Sequence, residues 1–266
     1  MTMRASNPTH LALAAAGVTL LAMLASPPSP QAQGMEDDNP AVLWSMRGEE
    51  LWSTPAGPRQ ASLEDCDLGL GPGVVAGAYA QLPRYFEDSG KVEDLESRIV
   101  TCRMSLQGMT REQAEAGHFS VTGEDSDMEA LVTFLVEQSQ GVAMNAPSDH
   151  PAEQAAYAMG KDFFYFRSGP HDFGCVTCHS QDGLRIRLQR LPNLAKPGGA
   201  AETYPSWPAY RVSQGTVRSM QHRLSDCLRQ QRLPPVAYNS DLLIALTTYL
   251  AQESKGAPIT APGLKR

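Results

Sequence analysis

Cys175, Cys178 and His179, within the run Cys175-Val176-Thr177-Cys178-His179, have the types and spacing to hold a haem. Two thiols one helical turn apart can add to the two vinyl groups of the macrocycle, and the next residue can turn its imidazole onto the iron. A structural zinc would want a second ligand pair at ligand spacing, which the chain lacks. A thioredoxin-type dithiol would want a βαβ setting and has no use for His179. The motif predicts one covalently attached haem c, with His179 as the proximal ligand to the iron.

The other axial ligand sets potential and chemistry. Met220, His222 and Cys227 stand at sensible distances along the chain. A thioether from Met220 would make a plain electron-transfer cytochrome, and that alternative stays open on the residues alone. Cys227 gains from an internal repeat. Gly90-Lys91-Val92-Glu93-Asp94-Leu95-Glu96-Ser97-Arg98-Ile99-Val100-Thr101-Cys102 lies without a gap over Gly215-Thr216-Val217-Arg218-Ser219-Met220-Gln221-His222-Arg223-Leu224-Ser225-Asp226-Cys227. Met220 and His222 fall on Leu95 and Ser97, whereas Cys227 falls on Cys102.

The chain has five cysteines, and the haem motif uses two. Cys66 stands where a first haem motif should begin, but Gly69 and Leu70 occupy the places of the second Cys and the His. In an oxidising compartment Cys66 and Cys102 are expected to pair as a disulfide, which would replace a haem as the staple of the first copy. Cys227 is left over. An odd cysteine in an exported chain is expected to be ligated or reactive. If the surrounding segment is helical, Arg223 stands one turn before Cys227 on the same face, where a guanidinium would lower the thiol pKa and could hold an oxyanion bidentately. A structural cysteine, with Arg223 paired to Asp226 or to a propionate, is the bland alternative. Residues 181–232 hold nine basic residues (Arg185, Arg187, Arg190, Lys196, Arg211, Arg218, Arg223, Arg229, Arg232) against three acids (Asp182, Glu202, Asp226), a segment that would attract a small anion.

The elements that must carry these residues follow from the repeat. Each copy has an aromatic and proline cluster (Tyr79 to Phe86, Tyr204 to Tyr210) and, further upstream, a Gly-Pro pair (57–58, 169–170). Each ends in an apolar stripe at helical spacing closed by glycine, with Leu131, Phe134 and Leu135 before Gly141, and Leu246, Tyr249 and Leu250 before Gly256. The expected architecture is mainly α: two homologous cytochrome c-like domains, a haem-less one over 35–145 and a haem-binding one over 152–266, joined by a polar linker at 146–151. Few segments alternate with period two, so little sheet is expected. Ahead of them Arg4, a fourteen-residue apolar run from Leu11 to Leu24 and small residues at 32–34 have the layout of a cleaved signal peptide over 1–34, implying export to the periplasm. No later apolar stretch reaches membrane-spanning length. Twenty-nine acids against 22 Lys and Arg give a formal charge of -7, which argues against nucleic acid as a partner.

The stretch from Tyr204-Pro205 through Gln221-His222-Arg223-Leu224-Ser225-Asp226-Cys227, together with residues 90–102, resembles the SoxA family, the larger cytochrome subunits of the SoxAX complexes of bacterial thiosulfate oxidation. The likeness runs over nearly all of the expected mature chain, and the residues at 69 and 70 match the single-haem members. The resemblance implies an L-cysteine S-thiosulfotransferase: a heterodimer with SoxX that joins thiosulfate oxidatively to the carrier cysteine of SoxYZ, with two electrons leaving through haem to SoxX. Carried over by position, Cys175 and Cys178 attach the haem and His179 is proximal ligand. Cys227 is distal ligand and catalytic sulfur, in the family found as a persulfide, and Arg223 binds the substrate. His222 is a weaker candidate as proton donor.

Overall fold

Helices begin where a short polar side chain can satisfy the free N–H groups of a first turn. The first half opens with α1 (Val42–Ser53) and a turn at Ala78–Gln81, then passes through a cis Leu82–Pro83 bond into β1 (Arg84–Phe86). β1 pairs antiparallel with β2 (Lys91–Glu93), Arg84 opposite Glu93. Asp94 then caps α2 (Leu95–Ser105) by accepting from the Ser97 N–H at 3.1 Å. The short α3 (Arg111–Glu115) follows a Thr110–Gln113 capping box, and Ser126 caps α4 (Asp127–Glu137). The structure, a computed structural model, describes Thr2 and residues 39–117, 126–186 and 189–266. Apart from Thr2, the signal peptide expected over 1–34, with its cleavage near 32–34, lies outside the described residues.

The second half repeats this order. His150 and Glu153 form the capping box of α5 (Pro151–Tyr165), and α6 (Cys175–His179) is a single turn. A small hairpin, β3 (Arg185–Ile186) with β4 (Gln189–Arg190), intervenes. Turns at Ala200–Glu202 and Tyr204–Ser206 lead through a cis Trp207–Pro208 bond into β5 (Ala209–Arg211), paired with β6 (Thr216–Arg218) in the register of the first hairpin. Ser219 caps α7 (Met220–Gln230) as Asp94 caps α2. α8 (Asp241–Glu253) follows, and β7 (Gly263–Lys265) adds a third strand parallel to β5. The strands are few and short, in keeping with the mainly helical expectation, but the sequence reading had not located them.

The first and last helices of each half cross in the same way, and both crossings turn on a glycine. A Cβ on Gly48 of α1 would stand 2.1 Å from the Ala130 carbonyl oxygen of α4, and one on Gly160 of α5 would stand 2.0 Å from that of Ala245 in α8. Only a residue without a side chain permits helices this close. Both Gly-Pro pairs sit in tight turns, closed by the bridges Ala56–Ala61 and Ser168–Phe173. Where α6 carries the haem motif, the first half has an Asp67 carboxylate accepting from the Gly69 and Gly71 N–H groups, so that segment makes a polar turn instead of a helix. Cys66 and Cys102 are joined in the expected disulfide, Cα atoms 5.6 Å apart.

The halves share one hydrophobic core, running from Trp52, Leu63 and Ile99 to Trp207, Tyr249 and Ile259, and residues 39–266 form one compact unit. Across the seam Arg218 and Glu129, both buried, pair at 3.2 Å, and the Tyr79 hydroxyl donates to the Trp207 carbonyl at 3.3 Å. Ala146, in the expected linker, is buried in this core.

Candidate functional site

The one-turn helix α6 exists because Gly174 lets the chain pass close to the Phe166 carbonyl and Thr177 reaches back to the Gly174 N–H at 3.0 Å. It sets Cys175, Cys178 and His179 along one wall of a cavity of about 170 Å³. Apolar side chains, among them Phe164, Phe173, Leu191, Leu194, Leu246 and Leu250, line much of the rest. The His179 Nδ1 lies 2.8 Å from the Pro192 carbonyl oxygen, so the ring donates its Nδ1–H to that carbonyl and keeps a free lone pair on Nε2. Burial, the largest influence, lowers the His179 pKa and keeps the imidazole neutral, as a metal ligand must be. Burial pushes the Cys175 thiol up to about 12. The cavity therefore suits a flat apolar macrocycle: a basic ring nitrogen aimed inward, two free thiols beside it and greasy walls.

Across the cavity stands α7. Its inward face contributes Arg223, Leu224, Cys227, Gln230 and Gln231, so the sequence-predicted residues Cys227 and Arg223 meet the haem motif in one space. Met220 does not line this cavity, but it lines a neighbouring groove together with His179, Arg223 and Cys227, and it borders the seam beside Leu95 and Glu96. His222 turns away, 3.4 Å from the Tyr238 hydroxyl and 3.9 Å from Glu129, and burial and Arg218 lower its pKa to about 4. The candidate proton donor of the sequence reading thus faces the seam, because residues 222 and 223 diverge by about 100° on a helix.

Arg223 does pair with Asp226, at 3.3 Å, but it shares that carboxylate with Arg229 and with Gln230 at 2.8 Å. Burial raises the Cys227 pKa, and Arg223 and Arg211 pull it back down, so the expected lowering by Arg223 is present but outweighed. Beyond Cys227 a groove opens that is lined by Arg211, Arg223, Arg229, Arg232 and Arg266. Arg266 reaches it, and Lys265 reaches the neighbouring groove lined by His179 and Cys227, because β7 pairs with β5, Lys265 opposite Arg211. The sequence reading missed these two. Their only local signal is a terminal basic pair, and nothing in the intervening residues announces the parallel pairing.

The SoxA/TsdA cytochrome c domain matches this sequence twice, over residues 47–144 and 159–259. The chain belongs to the SoxA/TsdA cytochrome c family. Among the family's SoxA members, the L-cysteine S-thiosulfotransferase subunit SoxA of Hydrogenophilus thermoluteolus is 52% identical over 230 residues, 86% of this chain and 84% of that protein. One of Hydrogenobacter thermophilus is 32% identical over 228 residues, 85% and 82% of the two chains. A crystal structure of SoxXA from P. pantotrophus superposes with a TM-score of 0.71 at 27% identity, covering 90% of this chain and 84% of that one. The two-domain cytochrome c-like fold expected from the repeat is that of the family, and a cytochrome c domain implies haem c as cofactor. Among the described residues no helix is long and apolar enough to cross a membrane.

Proposed function

We propose that the chain is the haem-bearing subunit of an L-cysteine S-thiosulfotransferase, in the periplasm, paired with a SoxX cytochrome and acting on thiosulfate and the carrier cysteine of SoxYZ. Cys175 and Cys178 would attach one haem c, and His179 and Cys227 would hold its iron. Residues 1–34 are a signal peptide, 35–145 the haem-less domain, 146–151 a linker and 152–266 the haem domain. The overall reaction balances as carrier thiol plus thiosulfate giving carrier S-thiosulfonate, one proton and two electrons. When bound, the haem supplies the one-electron redox chemistry that accepts those electrons.

The residues of the chain do the rest. Arg211, Arg223, Arg229 and Arg266 concentrate a dianion in the groove, and low-dielectric walls strengthen that attraction. Arg223 orients its oxygens beside the Cys227 sulfur, which is the catalytic sulfur. The Pro192 carbonyl holds the proton of His179 at Nδ1 and fixes the ring.

The observation that carries the reading is the presence of Cys227 and Arg223 in the same cavity as Cys175, Cys178 and His179. Its test is Cys227→Ser. Thiosulfate-dependent mass gain on SoxY should vanish while the intact mass of the variant still includes one haem. Full turnover by that variant would remove Cys227 as catalytic sulfur and return Met220 to consideration.

A further inference from the structure

The cavity that holds the haem motif and the groove beside it share a boundary. His179, Leu191, Arg223, Leu224, Cys227 and Leu250 line both, Cys175 and Cys178 line the cavity alone, and Arg211 and Lys265 line the groove and not the cavity. A cofactor site occupies roughly 300 to 1,000 Å³. The cavity, at about 170 Å³, does not reach that by itself, and the groove adds about 360 Å³. A macrocycle whose iron meets His179, at the boundary, therefore extends into both spaces. Its own chemistry sets which edge goes where. The vinyl groups and the propionates of a haem sit on opposite edges of the ring, so thioether bonds at Cys175 and Cys178 send the propionates toward the groove.

That end of the groove is cationic. Among the described residues no carboxylate lines it, whereas Arg190, Arg211, Arg223, Lys265 and Arg266 do. Arg223 already shares Asp226, and Arg190 and Arg266 are exposed. Arg211 and Lys265 differ from these: both are half-buried, they stand directly opposite each other where β7 pairs with β5, and among the described residues neither has an ion pair. Like charges at opposed strand positions destabilise each other. Burial, then Arg211, lower the Lys265 pKa, and burial, then Arg223, lower that of Arg211. An anion between the two would offset both costs. The haem-less half supplies the contrast. Phe86 stands there in the place of Arg211, and among the described residues the β1–β2 hairpin has no third strand, so neither cation has a counterpart.

We propose that Lys265 and Arg211 hold the haem propionates, so that β7 completes the cofactor site. This rests on the reading that Cys175 and Cys178 attach a haem. Arg211 also lines the groove beyond Cys227, and its five N–H donors let it serve a propionate and still face that space. Lys265 lines only the groove beside the haem motif, which makes it the residue that separates cofactor from substrate.

The test is resonance Raman spectroscopy of the haem-loaded chain, with haem content read by intact mass. In Lys265→Met the propionate bending band should fall in frequency, because losing a donor weakens the hydrogen bonding that stiffens this mode. Lys265→Arg should bring the band back toward its wild-type position. The midpoint potential of Lys265→Met should shift downward, since a cation beside the ring favours ferrous over ferric iron. If Lys265→Met does not load haem, Arg211→Gln is read by the same band. A wild-type band in the loaded variant overturns the proposal. A raised KM for thiosulfate beside that unchanged band would give Lys265 to the substrate anion instead. A wild-type chain without haem mass would sink the haem reading itself, and the proposal with it.

Discussion

Arg98 and Arg223 stand at the same position in the two halves, yet Arg98 is enclosed by carboxylates while Arg223 faces a cavity. Arg98 pairs with Asp88 at 2.9 Å and Glu93 at 3.2 Å, donates to the Asp67 carbonyl at 2.6 Å and stacks on Phe86. In the second half those surroundings are exchanged: Arg211 replaces Phe86, Ser213 replaces Asp88 and Arg218 replaces Glu93. One duplicated guanidinium has become a structural post in one copy and lines the cavity in the other.

Arg223→Lys should therefore lower kcat/KM for thiosulfate by roughly 10- to 100-fold, the worth of one or two charge-assisted hydrogen bonds. Lysine keeps the charge but loses the planar fork that meets an oxyanion with two parallel bonds. Steady-state kinetics against thiosulfate concentration, with haem content checked by absorbance, reads the effect.

Arg98→Ala should act on stability instead. It strands the buried Glu93 carboxylate, and breaking a buried pair from one side costs about 3 to 5 kcal/mol. Thermal unfolding followed by far-ultraviolet circular dichroism should show a lower Tm, with turnover unchanged at temperatures where the variant is folded.

Removing the Cys66–Cys102 disulfide by a double serine substitution frees a loop with a sequence separation of 36. By the chain-entropy estimate this costs about 3 to 4 kcal/mol. The midpoint of denaturant unfolding should fall, and the haem content by mass should be the same as in the unsubstituted chain.

The carboxyl pair in the seam makes stability depend on pH. Burial, then the neighbouring Asp94 charge, push the Glu96 pKa from 4.5 up to about 8, with Ser219 and Gln221 opposing, and Tyr79 and Tyr204 are the other titratable groups there. Between those values the folded chain holds a proton that the unfolded chain has released, so stability should fall as pH rises through that window and level off above about 8. Because Asp94 and Glu96 titrate as a unit, the proton belongs to the pair. Glu96→Gln should flatten the dependence of Tm on pH between about 5 and 8; an unchanged slope would mean that the pair releases its proton at ordinary acidic pH.

The sequence by itself determined whatever is written in contiguous residues or in a count. The haem motif is a local covalent pattern, the duplication is visible as an ungapped match from residue 90 to 102 and 215 to 227, and the disulfide follows from which cysteines remain. The last helix of each half was equally local, written in an apolar stripe at helical spacing that a glycine closes at 141 and at 256. Tertiary structure decided which side of α7 looks into the cavity, and so turned His222 to the seam and away from Arg223 and Cys227. It brought Lys265 and Arg266 beside Arg211 through a strand pairing across more than fifty residues. It also brought the Gln221 amide to the Asp94 carboxylate, which are distant in sequence. The division has a physical cause: covalent attachment and capping depend on neighbours a few bonds away, whereas the aim of a helix is fixed by what its buried face meets.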